Sequence, residues 1–348
     1  MRKSGKMVRQ SDITRYVYSC LMHNPSDEPQ PLGELELARK FGTTRLTIQR
    51  ALATFERDGR LIRIPGRRGL FMNPAVAKAM GDYYFFGVMT AERRNRFLDS
   101  GTQAVISGFV DKMQGVSSDY HYLEIKSEST ADTVEEILNC GLDGLLWCSP
   151  AEQDIPVIEE LTRRRFPVAA VAPPHKSRFP LPAWNCVQPD FAQIGILRAG
   201  CVRNAGCRRA AYFGSQGPTF DAFCASLAPA ERSYVLAHHC AVLDSGVSGI
   251  RAVLEDRPDC LVADGKIFSC LAELCRVAPE LKQVTLLLDP VPYAFQFQKK
   301  YPDLKIRTPD YNWFKVLRKL GERAAVHLWK TIRSGKAFQS EILKVSAK

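Results

Sequence analysis

GLLWCSPAEQDIPVIEELTRRRFPVAAVA, residues 144–172, carries the pattern on which the fold turns. Gly144–Cys148 is an unbroken apolar run of strand length, Ile155–Arg165 reads as a helix, and Val168–Ala172 is a second apolar strand. A strand, a crossover helix and another strand buried on both faces make a β-α-β unit with parallel strands. The same alternation runs outward in both directions. Upstream lie a strand at Tyr84–Met89, a helix at Gly101–Met113, a strand at His121–Ile125 and a helix at Ala131–Asn139. Downstream lie a helix at Phe191–Ala205, a strand at Arg209–Phe213 and a helix at Gly246–Glu255. A strand at Cys260–Ala263, a helix at Phe268–Arg276, a strand at Val284–Leu288 and a final long helix at Asn312–Ser334 complete the series. The pattern predicts an α/β body with parallel sheets covered by helices. At roughly 265 residues, such a body is expected to split into two lobes.

The chain has 348 residues, 45% hydrophobic and 24% charged, which excludes a mainly disordered polymer. Its net charge of +11 is uneven: residues 1–80 hold 15 Lys+Arg against 7 Asp+Glu, and the remaining 268 hold 33 against 30. A basic module joined to a near-neutral one suits a polyanionic partner such as nucleic acid. MRKSGKMVRQSD at the start has no apolar run behind it, so no secretory signal is read. The apolar stretches Gly141–Cys148 and Gln283–Asp289 are far shorter than a membrane span, and a cytoplasmic chain with no membrane partner is expected. Eleven cysteines without a CxxC pair read as reduced, mostly buried thiols. His238-His239-Cys240 has no second half to complete a metal site, so no metal and no cofactor is expected.

In the basic module, Ile13, Tyr16, Val17, Cys20 and Leu21 share one helical face within Ser11–Asn24. A second short helix fits Leu32–Phe41, with Leu35, Ala38 and Phe41 inward and Gly42 as its stop. Thr43 or Thr44 caps a third helix running to about Asp58, with Ile48, Ala51, Leu52 and Phe55 as its apolar stripe. Leu61–Ile64 and Gly69–Met72 follow as two short strands around Pro65-Gly66-Arg67-Arg68. This is a winged helix–turn–helix. Arg45, Thr47, Gln49 and Arg50 supply donors at the start of the third helix for base edges and phosphates. Arg67, Arg68 and Gly69 give the wing tip its cations and its tight turn.

Pro31–Met72, PLGELELARKFGTTRLTIQRALATFERDGRLIRIPGRRGLFM, resembles the DNA-binding domain of the GntR family of bacterial transcription regulators. Thr44, Arg45, Thr47, Ala51 and Leu52 meet its helix-turn-helix pattern, and Gly66, Arg67, Gly69 and Phe71 meet its wing pattern. Gly33 and Glu36 depart from the serine and the basic residue usual at those places. The body resembles the effector-binding domain of LacI/GalR regulators, which shares its fold with periplasmic sugar-binding proteins. The likeness rests on Leu138–Leu146, Phe166–Ala169, Val187–Asp190, Gly195, Cys207–Gly214 and Pro258–Asp264. The resemblance implies an effector site with Asp264 and Asp289 at strand ends. Thr219 stands where the family commonly holds its sugar with an arginine, and Asp221–Val242 looks shortened.

The expected organisation is a winged helix–turn–helix over 1–73, a linker over 74–83 and a doubly wound, periplasmic-binding-protein-like body over 84–348. Lobe 1 takes about 84–186 and 310–334, and lobe 2 about 187–309 and 335–348. Ligands of open α/β sheets sit at the carboxyl ends of strands. Arg94, Arg96 and Phe97, after the first body strand, therefore join Thr219, Asp264 and Asp289 as candidate effector contacts. The implied function is a dimeric repressor that binds a near-palindromic operator in double-stranded DNA under control of a small, sugar-like effector. An enzyme on the same scaffold would need a nucleophile with its base, a phosphate loop or a metal set, and none is read in the sequence. A ligand-independent co-regulator is the other alternative, favoured slightly by Thr219 and the short segment.

Overall fold

The computed structural model describes residues 10–23, 26–76, 83–90, 100–125, 127, 129–172, 183–240, 242–263 and 268–346. The basic module comprises α1 (Gln10–His23), β1 (Pro31–Leu32), α2 (Glu34–Lys40), α3 (Arg45–Arg57), β2 (Leu61–Ile62) and β3 (Leu70–Met72). The three strands form an antiparallel sheet in the order β1-β3-β2. Ile13, Val17 and Leu21 recur every fourth residue of α1 and meet Leu37, Ile48, Leu52, Phe55, Leu61 and Leu70 in one core. Each such side chain contributes roughly 1.5–3 kcal/mol on full burial, which offsets the ordering of three short helices. One inward position differs from expectation: Leu35 is 58% exposed, and α2 buries Glu34 and Leu37 instead. Glu34 turns inward because two donors on α3 meet it there.

In the body, β4 (Tyr83–Met89), α4 (Ser100–Lys112), β5 (Ser117–Tyr122), α5 (Thr130–Leu138) and β6 (Gly144–Cys148) come first. α6 (Ile155–Arg163), β7 (Val168–Val171) and β8 (Cys186–Pro189) follow. The chain then builds a second sheet from α7 (Phe191–Asn204), β9 (Ala210–Phe213), α8 (Pro218–Ala225), α9 (Pro229–Ala237) and β10 (His239–Cys240). α10 (Val242–Glu255), β11 (Cys260–Ala263), α11 (Phe268–Val277), β12 (Thr285–Leu288), α12 (Pro292–Lys300) and β13 (Lys305–Arg307) complete it. Finally α13 (Trp313–Ser334) and β14 (Glu341–Leu343) return to the first sheet.

Both sheets are parallel, in the orders β14-β8-β7-β6-β4-β5 and β10-β9-β11-β12-β13. The two-residue side-chain period divides each central strand between two cores. Leu146 and Cys148 of β6 face α4 and α13, whereas Leu145 and Trp147 face α5 and α6. In the second sheet, Leu261 and Ala263 of β11 enter one core and Cys260 and Val262 the other. This two-sided burial explains the unbroken apolar runs of the sequence.

α4 and α13 cross at backbone contact. A Cβ on Gly108 would lie 2.0 Å from the carbonyl oxygen of Arg318, and one on Gly321 would lie 1.9 Å from that of Val105. Only hydrogen fits at either place, so two glycines fix the distance between these helices.

The structure corrects two expectations. Residues 187–189 and 341–343 lie in the first sheet, not in the second lobe: Ile342 of β14 pairs with Gln188 of β8. Asn185 reinforces this ladder, its backbone N–H donating to Phe338 at 2.9 Å and its side-chain oxygen accepting from the Phe338 N–H at 3.2 Å. The strand expected at His121–Ile125 begins four residues earlier, at Ser117. It is an edge strand paired only with β4, so one side tolerates SSDYHY, and the apolar Leu123 and Ile125 are buried beyond its end.

Candidate DNA-binding face and candidate ligand cleft

α3 starts at an N-cap built by Thr44, whose hydroxyl accepts from the Thr47 N–H at 3.2 Å and lies 3.0 Å from the Thr47 hydroxyl. Both threonines expected at the DNA face therefore also set the start of the helix, a cap that contributes about 1 kcal/mol. Arg45 Nε donates to Glu34 Oε2 at 2.7 Å, and Gln49 Nε2 donates to the same oxygen at 3.0 Å. Burial alone would raise the Glu34 pKa. The bonds from Arg45 and Gln49 and the charge of Arg45 outweigh it and hold the carboxyl below its ordinary range. A buried carboxylate thus clamps two of the four expected reading side chains to α2. Arg45 stays 60% exposed despite the clamp.

Arg50 is exposed, as are Arg67 and Arg68 at the wing tip. Gly66 and Gly69 bracket these two arginines at φ +79 and +102, where an L side chain is strained even with open space around it. The turn therefore needs glycine for its backbone, and the two side chains between are cations facing water. Arg45, Arg50, Arg67 and Arg68 belong to one small unit with a single core, and all four side chains are exposed on its outside.

In the body, the carboxyl ends of β6 and β7 are followed by two non-glycine residues with positive φ, Ser149 at 48 and Ala172 at 51. Their N–H groups continue the ladder, to Val171 at 2.7 Å and Val187 at 2.8 Å. Adjacent strands thus turn away sharply at the edge where an α/β sheet receives its ligand.

On the second sheet, Asp289 follows β12 and accepts from Arg198 Nε at 3.1 Å, Arg198 Nη2 at 2.5 Å and the Tyr311 hydroxyl at 2.8 Å. Arg198 Nη1 donates to the Tyr212 hydroxyl at 2.7 Å. The Arg198 side chain is 5% exposed and that of Asp289 18%. Burial alone would lower the Arg198 pKa; the facing carboxylate outweighs it and holds the guanidinium charged. Burial, and then the charge of Asp289, push the Tyr311 hydroxyl far above its ordinary range, so it is a fixed donor. Asp289 is therefore at the expected strand end, but with three protein donors on its two oxygens. The sequence offered no sign of this, since Arg198 lies 91 residues away on a helix read only as one member of the alternating series.

Thr219 is half-buried in the first turn of α8, at the carboxyl end of β9. Its carbonyl lies 2.2 Å from where a Cβ on Gly195 would sit, so its backbone forms part of the α7–α8 contact. Arg94, Arg96, Phe97 and Asp264 lie outside the described residues. His238 meets Asp256 at 3.0 Å and His239 meets the Gly214 carbonyl at 2.8 Å. Among the described residues, no three His, Cys, Asp or Glu side chains gather to hold a metal ion, and no helix is long and apolar enough to cross a membrane.

No protein-family model and no curated protein sequence matches this chain. Solved structures do. A transcription regulator like protein from Staphylococcus haemolyticus is similar with a TM-score of 0.54 and 12% identity, over 75% of this chain and 95% of the other. The Lac repressor dimer bound to operator and the anti-inducer ONPF gives 0.53 and 12%, over 92% and 98%. GanP, a glucose-galactose binding protein from Geobacillus stearothermophilus, gives 0.51 and 12%, over 76% and 97%. The body therefore has the two-lobed α/β fold of LacI-type regulators and periplasmic sugar-binding proteins.

Proposed function

We propose that this chain is a sequence-specific, DNA-binding transcription regulator, acting as a repressor and as a homodimer. In this reading, residues 1–73 form a GntR-type winged helix–turn–helix, 74–83 a linker and the remainder an effector-binding body. The observation that carries it is that Arg50 on the third helix and Arg67 and Arg68 at the wing tip are exposed cations of one small unit with a single core, joined to a body whose α/β fold is that of LacI-type proteins. Arg45, Thr47, Gln49 and Arg50 enter a major groove, Thr44 sets the helix start, and Arg67, Arg68 and Gly69 meet the flanking backbone. A small polyhydroxylated effector lies between the lobes, near Arg94, Arg96, Phe97, Thr219, Asp264 and Asp289. Two-fold symmetry of the dimer suits a near-palindromic site.

The test is binding of the full chain to duplex DNA across a salt series. Binding should weaken steeply with salt. Arg50→Ala should cost about 1–3 kcal/mol and relax base preference, whereas Arg67→Ala should weaken all duplexes alike and reduce the salt slope by about 1. Absence of salt-dependent binding to any duplex refutes the reading.

One observation favours a second reading, in which no effector binds. Asp289 already receives three donors from its own chain, so this carboxylate is satisfied without a ligand. Thermal stabilisation by any member of a sugar and polyol panel separates the two, because a ligand at a hundred times its Kd stabilises by about 2.7 kcal/mol.

A further inference from the structure

The outward stripe of α3 is not the set of residues that the sequence pattern singles out. The helix turns 100° per residue, and Ile48, Ala51, Leu52 and Phe55 mark its inner side. The positions diametrically opposite are Leu46, Arg50, Ala53 and Arg57, all four exposed. Arg45 and Gln49 lie on the flank toward α2, where Glu34 holds both. Thr47 lies on the other flank, engaged with the cap. The two side chains aimed most directly outward in the first turns are therefore an aliphatic one, Leu46, 56% exposed, and a cation, Arg50.

An exposed leucine alone is ordinary. Its neighbours make this one informative. Leu46 sits at the helix start that a recognition helix inserts first, and Ala53, two turns on, keeps the same face low. A leucine brought against a major-groove floor must avoid the donors and acceptors of guanine, cytosine and adenine, which it would strip of water without replacing a hydrogen bond. The one apolar group on that floor is the C5-methyl of thymine. Arg50, one turn further on, offers the fork that matches O6 and N7 of guanine. Four residues of helix rise by about 6 Å, close to two base-pair steps of about 3.4 Å.

Resting on the DNA-binding reading above, we infer that Leu46 is a specificity-determining residue that reads a thymine methyl, and that Arg50 reads a guanine one or two base pairs away. Arg57 extends the stripe toward the backbone, and the Glu34 clamp fixes Arg45 and Gln49 along the flank of this reading edge.

The experiment selects duplexes from a randomised pool with the full chain, then replaces each thymine of the enriched half-site by deoxyuridine, which removes only the methyl group. The enriched half-site should contain a guanine and a thymine within two base pairs. The single thymine-to-deoxyuridine change at that position should weaken the wild type about fourfold, the effect of one buried methyl. Leu46→Ala should bind the thymine and deoxyuridine duplexes equally, Leu46→Met should keep the difference, and Arg50→Ala should lose the guanine preference. Leu46 is exposed, so its variants should match the wild type in melting temperature. Selection of a site that ignores the methyl overturns the inference while leaving the DNA-binding reading standing. A methyl effect that persists in Leu46→Ala overturns the assignment to this residue. Failure to enrich any duplex overturns both.

Discussion

Asp289→Ala should unfold the second lobe far more readily than the loss of one partly exposed carboxylate would suggest. The substitution leaves the Arg198 guanidinium, 5% exposed, facing an apolar side chain, with the Tyr212 hydroxyl still bound to it. It also removes the acceptor of the Tyr311 hydroxyl, a residue 1% exposed. Breaking a buried ion pair from one side costs about 3–5 kcal/mol, because the remaining charge stays desolvated. With a urea m value of about 2 kcal/mol/M, a loss of about 4 kcal/mol moves the unfolding midpoint down by about 2 M. Replacing both partners by apolar residues of similar size removes that penalty, so Arg198→Met/Asp289→Leu should recover most of the loss. Urea unfolding of the full chain, followed by tyrosine and tryptophan fluorescence and by hydrogen exchange at β12 and α7, provides the measurement. An Asp289→Ala midpoint equal to wild type would show that Arg198 finds water, and the reasoning would be wrong. The same result bears on ligand assays: lost effector response in Asp289→Ala cannot be assigned to a lost contact until the fold of that variant has been measured.

The helix crossing and the clamp give two further predictions. Gly321→Ala places a Cβ 1.9 Å from the Val105 carbonyl, so α13 must move off α4, at a cost of about 1–3 kcal/mol or more. Gly200→Ala, where a Cβ meets nothing within 4 Å, should be neutral or slightly stabilising in the same thermal melt. Glu34 has a folded-state pKa below its unfolded value, so its contribution is present above the ordinary carboxylate range and is lost as pH falls through the folded value. Wild type should therefore lose more stability of the N-terminal unit between about pH 6 and about pH 3 than Glu34→Gln does. Parallel acid titrations of the two proteins by circular dichroism would contradict the clamp.

The parallel α/β body was legible because its central strands are buried on both faces and contain little but apolar residues; GLLWC at 144–148 is β6 to the residue. The head was legible for a related reason, since Ile48, Ala51, Leu52 and Phe55 can share one side only if the segment is helical. The pattern is silent about partners. Nothing in ELELARK distinguishes an inward Leu35 from an inward Glu34 until Arg45 and Gln49 are brought alongside. β8, α8, α9, β10, α12 and β13 carry weak signals because they are short or sit at sheet edges, where one face can be polar. The position of β14 follows from a pairing across more than 150 residues, which no local period encodes.

That pairing has a mechanical consequence. Because β8 and β14 both belong to the first sheet, the segments leaving them and the segment entering α13 run side by side between the two sheets. Ile194 from α7, Tyr311 before α13 and Val345 after β14 form one small buried cluster, flanked by Phe191, Leu197, Trp313 and Val316. Asp190 fixes the first of these segments twice, its N–H donating to Leu343 at 2.8 Å and its side chain accepting from Gln193 at 2.9 Å. Tyr311 fixes the second, since its ring is in the cluster and its hydroxyl donates to Asp289 at the carboxyl end of β12. The three segments that pass between the sheets therefore meet in this one cluster. The Tyr311–Asp289 bond joins it to the carboxyl end of β12. Loss of the Asp289 acceptor thus reaches the cluster through a single hydrogen bond, which is why Asp289→Ala is expected to raise hydrogen exchange in α7 as well as in β12.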